Sequence, residues 1–312
     1  MTVRGNNTNW PRIAVVGAGA VGGYFGGRLA DAGAPVVMVG RPAFAEAVAR
    51  DGLLLDTLQG KKYVRVEAST DMGAVRGAEL VLFCVKTTDN AATARALAPL
   101  LARDALVVSM QNGVDNVEQI RAASGIEAQP AVVYVAASVP APGQVKHVGR
   151  GDLVTGPANE KTVRLAEVFG HAEVPCRISD NIAGELWVKL VWNCALNAIS
   201  ALGRVQYRQI AQDARACHMV EVLVEEVLAV ARAAGVVLPG VSDRAAATRG
   251  ALQIADQMAD AFSSTAQDIQ RGKRTEIDSL NGYIARRGAQ LGVPTPINEA
   301  LFTLVKLLEL NL

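Results

Sequence analysis

Residues 12–23, RIAVVGAGAVGG, constrain this chain more than any other stretch. A short run of β-branched and small apolar residues ends at Gly17, and the glycines then fall as G-x-G-x-x-G at Gly17, Gly19 and Gly22. A helical segment follows from about Val21 to Ala32, and Gly33 closes it. In that setting each glycine has a task. Gly17 permits a tight turn, Gly19 lets a pyrophosphate approach the backbone, and Gly22 lets helix and strand pack closely. Ala20 and Val21 open the helix, whose free N–H groups and partial positive charge suit phosphates. Ala/Gly-rich turns imitate such a pattern, but its place at the front of a βαβ unit points to dinucleotide binding.

The remaining first half keeps the same rhythm. APVVMVG, AELVLFCVK and DALVVSMQNG read as buried strands, and NAATARALAPLLA as a helix between the last two. LLLDTLQGKKYVRVEA is an excursion of short strands around Gln59-Gly60, and PAVVYVAASV, GQVKHVG and DLVTGP continue the β character. The expectation is an α/β domain over residues 1–180, a Rossmann-type doubly wound parallel sheet. Ser179-Asp180-Asn181 then forms a capping cluster, and helical periodicity takes over at about 182–202, 207–234, 242–260, 275–290 and 296–310. An all-α C-terminal domain over residues 181–312 is predicted to carry the substrate and catalytic groups.

Composition narrows the function classes. A chain of 312 residues can bury two cores, and 50% hydrophobic residues with only 4% aromatics suit packed helices and parallel strands. Net charge is +1 with acids and bases interleaved, which argues against a nucleic-acid partner and a polybasic membrane surface. No uninterrupted apolar run reaches the ~20 residues that span a bilayer. MTVRGNNTNWP lacks a signal pattern and reads as a disordered lead-in. Cys84, Cys176, Cys194 and Cys217 form no CxxC pair and read as reduced core residues of a cytoplasmic protein. His147, His171 and His218 lie far apart, so no metal site is expected. EALFTLVKLLELNL suits packing inside its own domain or against a second subunit in a homodimer.

The end of the second strand bears on which dinucleotide binds. NAD sites place an acid there to hold the ribose 2′-OH. Here the strand ends VMVGRP, with Gly40 and Arg41 and no carboxylate. An uncharged residue followed by a guanidinium leaves room for a 2′-phosphate and pairs with it, so NADP is the expected cofactor.

WVKLVWNCALN, residues 187–197, poses a separate question. It reads as the inside of a buried helix, yet Lys189, Asn193 and Asn197 at i, i+4 and i+8 share one stripe. Unpaired polar groups in such a helix are costly. Either the stripe faces solvent or it lines a polar site where a ligand supplies the partners.

The chain resembles the ketopantoate reductase (2-dehydropantoate 2-reductase) family over nearly its whole length. The resemblance is carried by GAGAVGGYFGGRLADAG, VKTTD at 85–89, QNGVDNVE at 111–118, HVGRG at 147–151, LWVKLVWNCALNAISAL at 186–202 and SSTAQDIQRGKRTEIDSLNGYI at 263–284. The last two are the most specific. The resemblance implies that Lys189 is the general acid and that Glu276 works beside it. It implies that Asn193, Asn197 and Ser264 contact substrate. Asn112 would lie where cofactor and substrate meet, and Lys86 close to the cofactor. The sequence departs from the family at Ala261, where an asparagine can contact substrate.

The chemistry is coherent without the family name. Hydride transfer to a 2-oxo acid builds negative charge on the ketone oxygen, and an ammonium there can supply both charge and proton. Partial burial is expected to lower the Lys189 pKa toward working pH, and Glu276 to counter that shift. Amides at Asn193 and Asn197 can donate to substrate oxygens without adding charge. Each residue also has a structural reading: Glu276 as a first-turn helix acid, Asn112-Gly113 as a turn, Ser264 as a cap, Lys86 and Arg41 as surface residues. Their joint fit to one site favours an NADPH-dependent reductase converting 2-dehydropantoate to pantoate, a step toward pantothenate and coenzyme A. The alternatives are a reductase of another 2-oxo acid with the same machinery and a non-catalytic NADP-binding sensor.

Overall fold

The computed structural model describes residues 9–312, so the first eight residues of the expected lead-in lie outside the described residues. The chain forms two compact units. One contains the described residues to Gln111 together with Asn116–Ile182, and the other contains Asn112–Asp115 and Ala183–Leu312. The short segment Asn112–Asp115 therefore groups with the helices, although it lies far from them in sequence.

The first unit is an α/β fold. Its elements run β1 (Ile13–Val16), α1 (Ala20–Asp31), β2 (Val36–Val39), α2 (Pro42–Asp51), β3 (Leu53–Thr57), β4 (Gly60–Val64) and β5 (Glu67–Ser69). They continue as β6 (Leu80–Phe83), α3 (Asn90–Leu97), β7 (Leu106–Ser109), α4 (Asn116–Ser124), β8 (Gln129–Ser138), β9 (Gln144–Thr155), α5 (Glu160–His171) and β10 (Cys176–Ile178). The strands form one sheet in the order β4-β3-β9-β8-β7-β6-β1-β2-β5, with β10 beside β9. Pairing is parallel throughout except for β3 with β4 and β8 with β9. The three β segments read between residues 130 and 157 are thus two long antiparallel strands.

Both sheet faces are buried, as continuous apolar strands require. Ile13 and Val15 pack with Phe25 of α1 and Phe169 of α5, while Ala14 and Val16 pack with Leu97 of α3 and Ile120 of α4. The strand order reverses at β1, which has β2 on one side and β6 on the other. In open α/β sheets that reversal opens a crevice at the carboxyl ends of the strands.

The second unit is helical: α6 (Ile182–Gly203), α7 (Tyr207–Gln212), α8 (Ala214–Ala233), α9 (Arg244–Gln257), α10 (Ser264–Gln270), α11 (Asn281–Leu291) and α12 (Pro296–Glu309). The helix expected at 207–234 is two helices. Asp213 separates them, because its carboxylate accepts from the N–H groups of Arg215 (2.9 Å) and Ala216 (3.0 Å) and so starts a new helix. The helix expected from 275 begins only at Asn281, after a single 3₁₀ turn at Ile277–Ser279. Helix α6 is the one described helix long and apolar enough to cross a membrane, but 61% of its apolar window is buried inside the fold. It is the central helix of its own unit. Trp187, Leu190, Val191 and Cys194 pack there against α8, α9 and α11.

A chain of buried polar contacts ties α6 to its neighbours. Asn281 donates to the Cys194 carbonyl (3.1 Å) and to Asn298 Oδ1 (2.9 Å). Glu226 of α8 accepts from the backbone of Ile297 (2.9 Å) and Asn298 (2.9 Å), and from the Asn298 amide (2.8 Å). The N-terminus of α12 thereby neutralises a buried carboxylate. On α12 itself Leu301 and Val305 are buried, while Leu304, Leu307 and, just past its end, Leu310 stay exposed, so the apolar stretch both packs internally and presents a surface.

Candidate active site

The candidate cofactor-binding residues of the first unit lie at its strand ends. Gly17 follows β1 with φ +99°, a left-handed conformation that glycine adopts without strain. A Cβ at Gly17 would lie 2.7 Å from the Cys84 carbonyl carbon and the Val85 nitrogen. At Gly22 a Cβ would meet Val15 Cγ1 at 2.9 Å and Cys84 Cβ at 3.1 Å, so α1 sits directly on β1 and β6. Gly19 differs, since a Cβ there would meet nothing within 4 Å. It is the N-cap of α1, with no side-chain cap and no acid in the first turn. Two glycines are needed for packing, and the third leaves open space in front of the helix N–H groups at Ala20 and Val21. Those groups suit a pyrophosphate.

Arg41 occupies the N-cap of α2, exposed, with Pro42 at the first helical position. Gly40 before it is held by an N–H bond to the Ser69 carbonyl (3.0 Å), and a Cβ there would crowd Phe44 and Ala18. Lys86 follows β6 and starts the single 3₁₀ turn Thr87–Asp89, its carbonyl accepting from Asp89 (2.8 Å).

Beneath this turn lies a polar network that the motif reading passed over. Gln111 is buried, and its amide donates to the Val85 carbonyl (2.7 Å) and to Asn90 Oδ1. Gln111 Oε1 accepts from the Ser109 hydroxyl (2.9 Å), and Asn90 donates to Asn116 (2.9 Å). The residue preceding Asn112 in QNG thus fixes the carbonyl preceding Lys86. The available signal was a run of amides placed directly after an apolar strand. Burial also pushes the Cys84 and Cys194 thiols above their ordinary 9.0, so both stay protonated and act as packing residues.

In the helical unit the stripe on α6 is not an ordinary wet face. Lys189 and Asn193 are half-buried and Asn197 is 3% exposed. Among the described residues Asn193 Nδ2 finds no hydrogen-bond partner, although it is buried. Asn197 Oδ1 accepts from the Tyr207 hydroxyl (3.1 Å), and its carbonyl accepts from the Ser263 hydroxyl (3.0 Å). Ser263, not Ser264, caps α10, accepting from Ala266 N–H (3.0 Å). Ser264 is the exposed first residue of that helix, with its hydroxyl not needed for the cap. Glu276 is half-buried and precedes the 3₁₀ turn. Its Oε2 accepts from the Asn112 amide at 3.4 Å, which joins two of the residues singled out in the sequence. Ala261 closes a turn onto the Met258 carbonyl (2.8 Å), and its methyl packs against the apolar core of the unit.

The sheet reversal at β1, with a glycine turn opening onto a helix N-terminus, defines a Rossmann-type dinucleotide-binding protein with an appended helical unit. Residues 13–160 match the family described as Ketopantoate reductase PanE/ApbA, and residues 181–309 match Ketopantoate reductase PanE/ApbA C terminal. The chain is 31% identical over 301 residues to a 2-dehydropantoate 2-reductase of Pyrococcus abyssi, covering 95% of this chain and 97% of that one. Among solved structures it is similar to a PanE/ApbA family ketopantoate reductase from Ralstonia eutropha JMP134, with 47% identity, TM-score 0.90 and coverage of 96% and 98%. A 2-dehydropantoate 2-reductase from Geobacter metallireducens GS-15 gives 28% identity, TM-score 0.88 and coverage of 95% and 99%. The chain belongs to the ketopantoate reductase family, a family of NADP-dependent oxidoreductases.

Proposed function

We propose that this chain reduces 2-dehydropantoate to pantoate with NADPH, and that Lys189 delivers the proton to the ketone oxygen. The observation that carries the role of the stripe is Asn193 Nδ2, a buried donor with no partner among the described residues, one helical turn from Lys189 and one from Asn197. An unsatisfied buried donor costs roughly 1–3 kcal/mol, which a ligand oxygen placed there would offset. A 2-oxo acid with a further hydroxyl is rich in such oxygens.

The residues divide the work by charge. Lys189 presents an ammonium to the developing alkoxide and then gives up its proton. Glu276 keeps that ammonium oriented, and Asn112 holds one carboxylate oxygen of Glu276 in turn. Asn193 and Asn197 donate to substrate oxygens, and Ser264 offers a hydroxyl at the exposed start of α10. Gly17, Gly19, Ala20, Val21 and Gly22 would hold the pyrophosphate of the cofactor, Arg41 its 2′-phosphate, and Lys86 and Asn112 its nicotinamide end. The bound cofactor supplies the hydride. All four cysteines are free, which fits a reducing compartment, and the reading places the enzyme in the cytoplasm.

The test is an NADPH-oxidation assay of the purified protein against a panel of 2-oxo acids. 2-Dehydropantoate is expected to give the highest kcat/KM. No oxidation with any 2-oxo acid would reject the catalytic reading, and a strong preference for another acid would keep the chemistry and reassign the substrate.

A further inference from the structure

We infer that Tyr207 sets the polarity of the substrate-binding stripe, holding Asn197 with its carbonyl end inward and its N–H₂ end toward the ligand; this rests on the reading of Asn197 as a substrate contact. A primary amide is nearly symmetric in shape but reversed in hydrogen bonding, with an acceptor at one end and two donors at the other. Shape alone would let Asn197 sit either way round. The Tyr207 hydroxyl donates to Oδ1 at 3.1 Å, and the flipped amide would take this acceptor away from the buried phenol hydrogen, which favours the orientation with Oδ1 inward.

The phenol is well suited to the task. Tyr207 is 7% exposed, and burial raises its pKa, so the O–H stays protonated and must find an acceptor. Its backbone is also fixed. Tyr207 N–H donates to the Ala261 carbonyl (3.0 Å), Arg208 N–H to that of Ala259 (2.9 Å), and the Gln206 amide to that of Asp260 (2.9 Å). From the other side Ser263 links this loop to α6, its hydroxyl on the Asn197 carbonyl and its N–H on the Ser200 hydroxyl (3.2 Å). The elbow between α6 and α7 is therefore locked against the 259–263 segment, and the amide is held by a rigid donor.

The chemical consequence is a donor at each successive turn of the stripe. The Lys189 ammonium, the orphaned Asn193 Nδ2 and the Asn197 N–H₂ end follow one another at successive turns. Such a surface accepts a ligand that offers oxygen lone pairs along its length, and an amide turned the other way would set an acceptor against them. Tyr207 is a positioning residue: it acts on substrate through Asn197.

Three variants, assayed with NADPH and 2-dehydropantoate, test the inference. Asn197→Ala examines the underlying reading and is expected to raise the KM for the oxo acid about 5-fold, as for one lost hydrogen bond. Tyr207→Phe is expected to raise the same KM by a similar factor, with the KM for NADPH unchanged and no further effect when combined with Asn197→Ala. Asn197→Asp keeps an acceptor for Tyr207 but turns the ligand end into an anion, so its KM should exceed that of Asn197→Ala by at least about 10-fold. An unchanged KM in Asn197→Ala overturns the reading and the inference together. A raised KM in Asn197→Ala with none in Tyr207→Phe, or a Tyr207→Phe effect that persists in full on top of Asn197→Ala, overturns the inference alone. If Tyr207→Phe fails to fold, Asn197→Asp decides, and a KM no higher than that of Asn197→Ala rejects a donor end facing the ligand.

Discussion

Glu309, the last residue of α12, grips Thr275, the neighbour of Glu276: one carboxylate oxygen accepts from the Thr275 N–H at 2.7 Å and from its hydroxyl at 2.6 Å. The other oxygen accepts from Lys306 at 2.8 Å, and Lys306 also reaches Asp278 at 3.0 Å. The irregular segment that carries Glu276 is therefore pinned on both sides by the C-terminal helix. Backbone outside a helix or strand needs such side-chain partners, because no ladder satisfies its polar groups.

That clamp makes acid stability readable. Burial opposes charge on Glu309, but the hydrogen bonds from Lys306 and Thr275 outweigh it and hold the carboxyl below its ordinary 4.5. A group whose folded pKa is depressed stabilises the fold fully above its unfolded pKa and loses that contribution as pH falls through the folded value. Glu309→Gln should therefore lower Tm by a constant amount at roughly pH 6–8, and the deficit should shrink below about pH 4.5. Thermal melts of both proteins across that range check it. A deficit that persists undiminished in acid would assign the effect to packing and remove the carboxylate from the account.

The glycine turn separates fold from cofactor. Gly22→Ala drives a methyl into Val15 and Cys84, and should lower stability by roughly 1–3 kcal/mol or more through overpacking. Gly19→Ala has φ −84° and open space around its Cβ, so its effect on Tm should be small. The same methyl stands where a pyrophosphate must approach, so NADPH affinity should fall at least about 10-fold. Melting curves and nucleotide titration of the two variants decide this. Normal NADPH binding by Gly19→Ala would place the phosphates elsewhere.

At Arg41 the contrast is between two nucleotides. If its guanidinium pairs with the 2′-phosphate, Arg41→Ala should weaken NADPH by roughly 1.5–3 kcal/mol and leave NADH nearly unaffected. The exposed position at the start of α2, with Gly40 before it and no acid in the first helical turn, permits such a contact. Fluorescence titration with each nucleotide gives the ratio, and equal losses would remove Arg41 from this role.

Local chemistry made much of this legible in the sequence. A glycine cannot hide a left-handed turn, so the strand, the turn at Gly17 and the helix that follows were all readable from residues 12–33. The i, i+4, i+8 spacing of Lys189, Asn193 and Asn197 is enough to put them on one stripe of a helix. Contacts distant in sequence were not readable. Nothing near Glu276 announces Glu309, 33 positions on, and nothing near Asn197 says that Tyr207 will donate to its oxygen rather than accept from its nitrogen. Asp213 was missed as a break for a different reason, because a single N-capping acid inside a strongly helical run looks like a surface residue until its carboxylate is seen on Arg215 and Ala216.

Lys189→Ala bears most directly on the proposed chemistry. Lys189 is half-buried on a helix whose other faces are closed by Trp187, Leu190, Val191 and Cys194, so its removal leaves that packing in place. The fold should therefore stay intact, with a melting curve close to that of the parent protein. NADPH binds through backbone groups and Arg41 in the proposed arrangement, so its affinity should be nearly intact. Turnover should fall by roughly 10²–10⁴, the range for loss of a general acid, and further if the ammonium also stabilises the alkoxide. Lys189→Arg sharpens the result. A guanidinium keeps the charge but does not release its proton at working pH, so the arginine variant should recover oxo-acid binding and only part of the turnover. Steady-state kinetics with a melting curve on both variants separate these effects. Turnover that survives Lys189→Ala within about ten-fold would mean that the proton comes from another group, and the donor stripe on α6 would then be a binding surface alone.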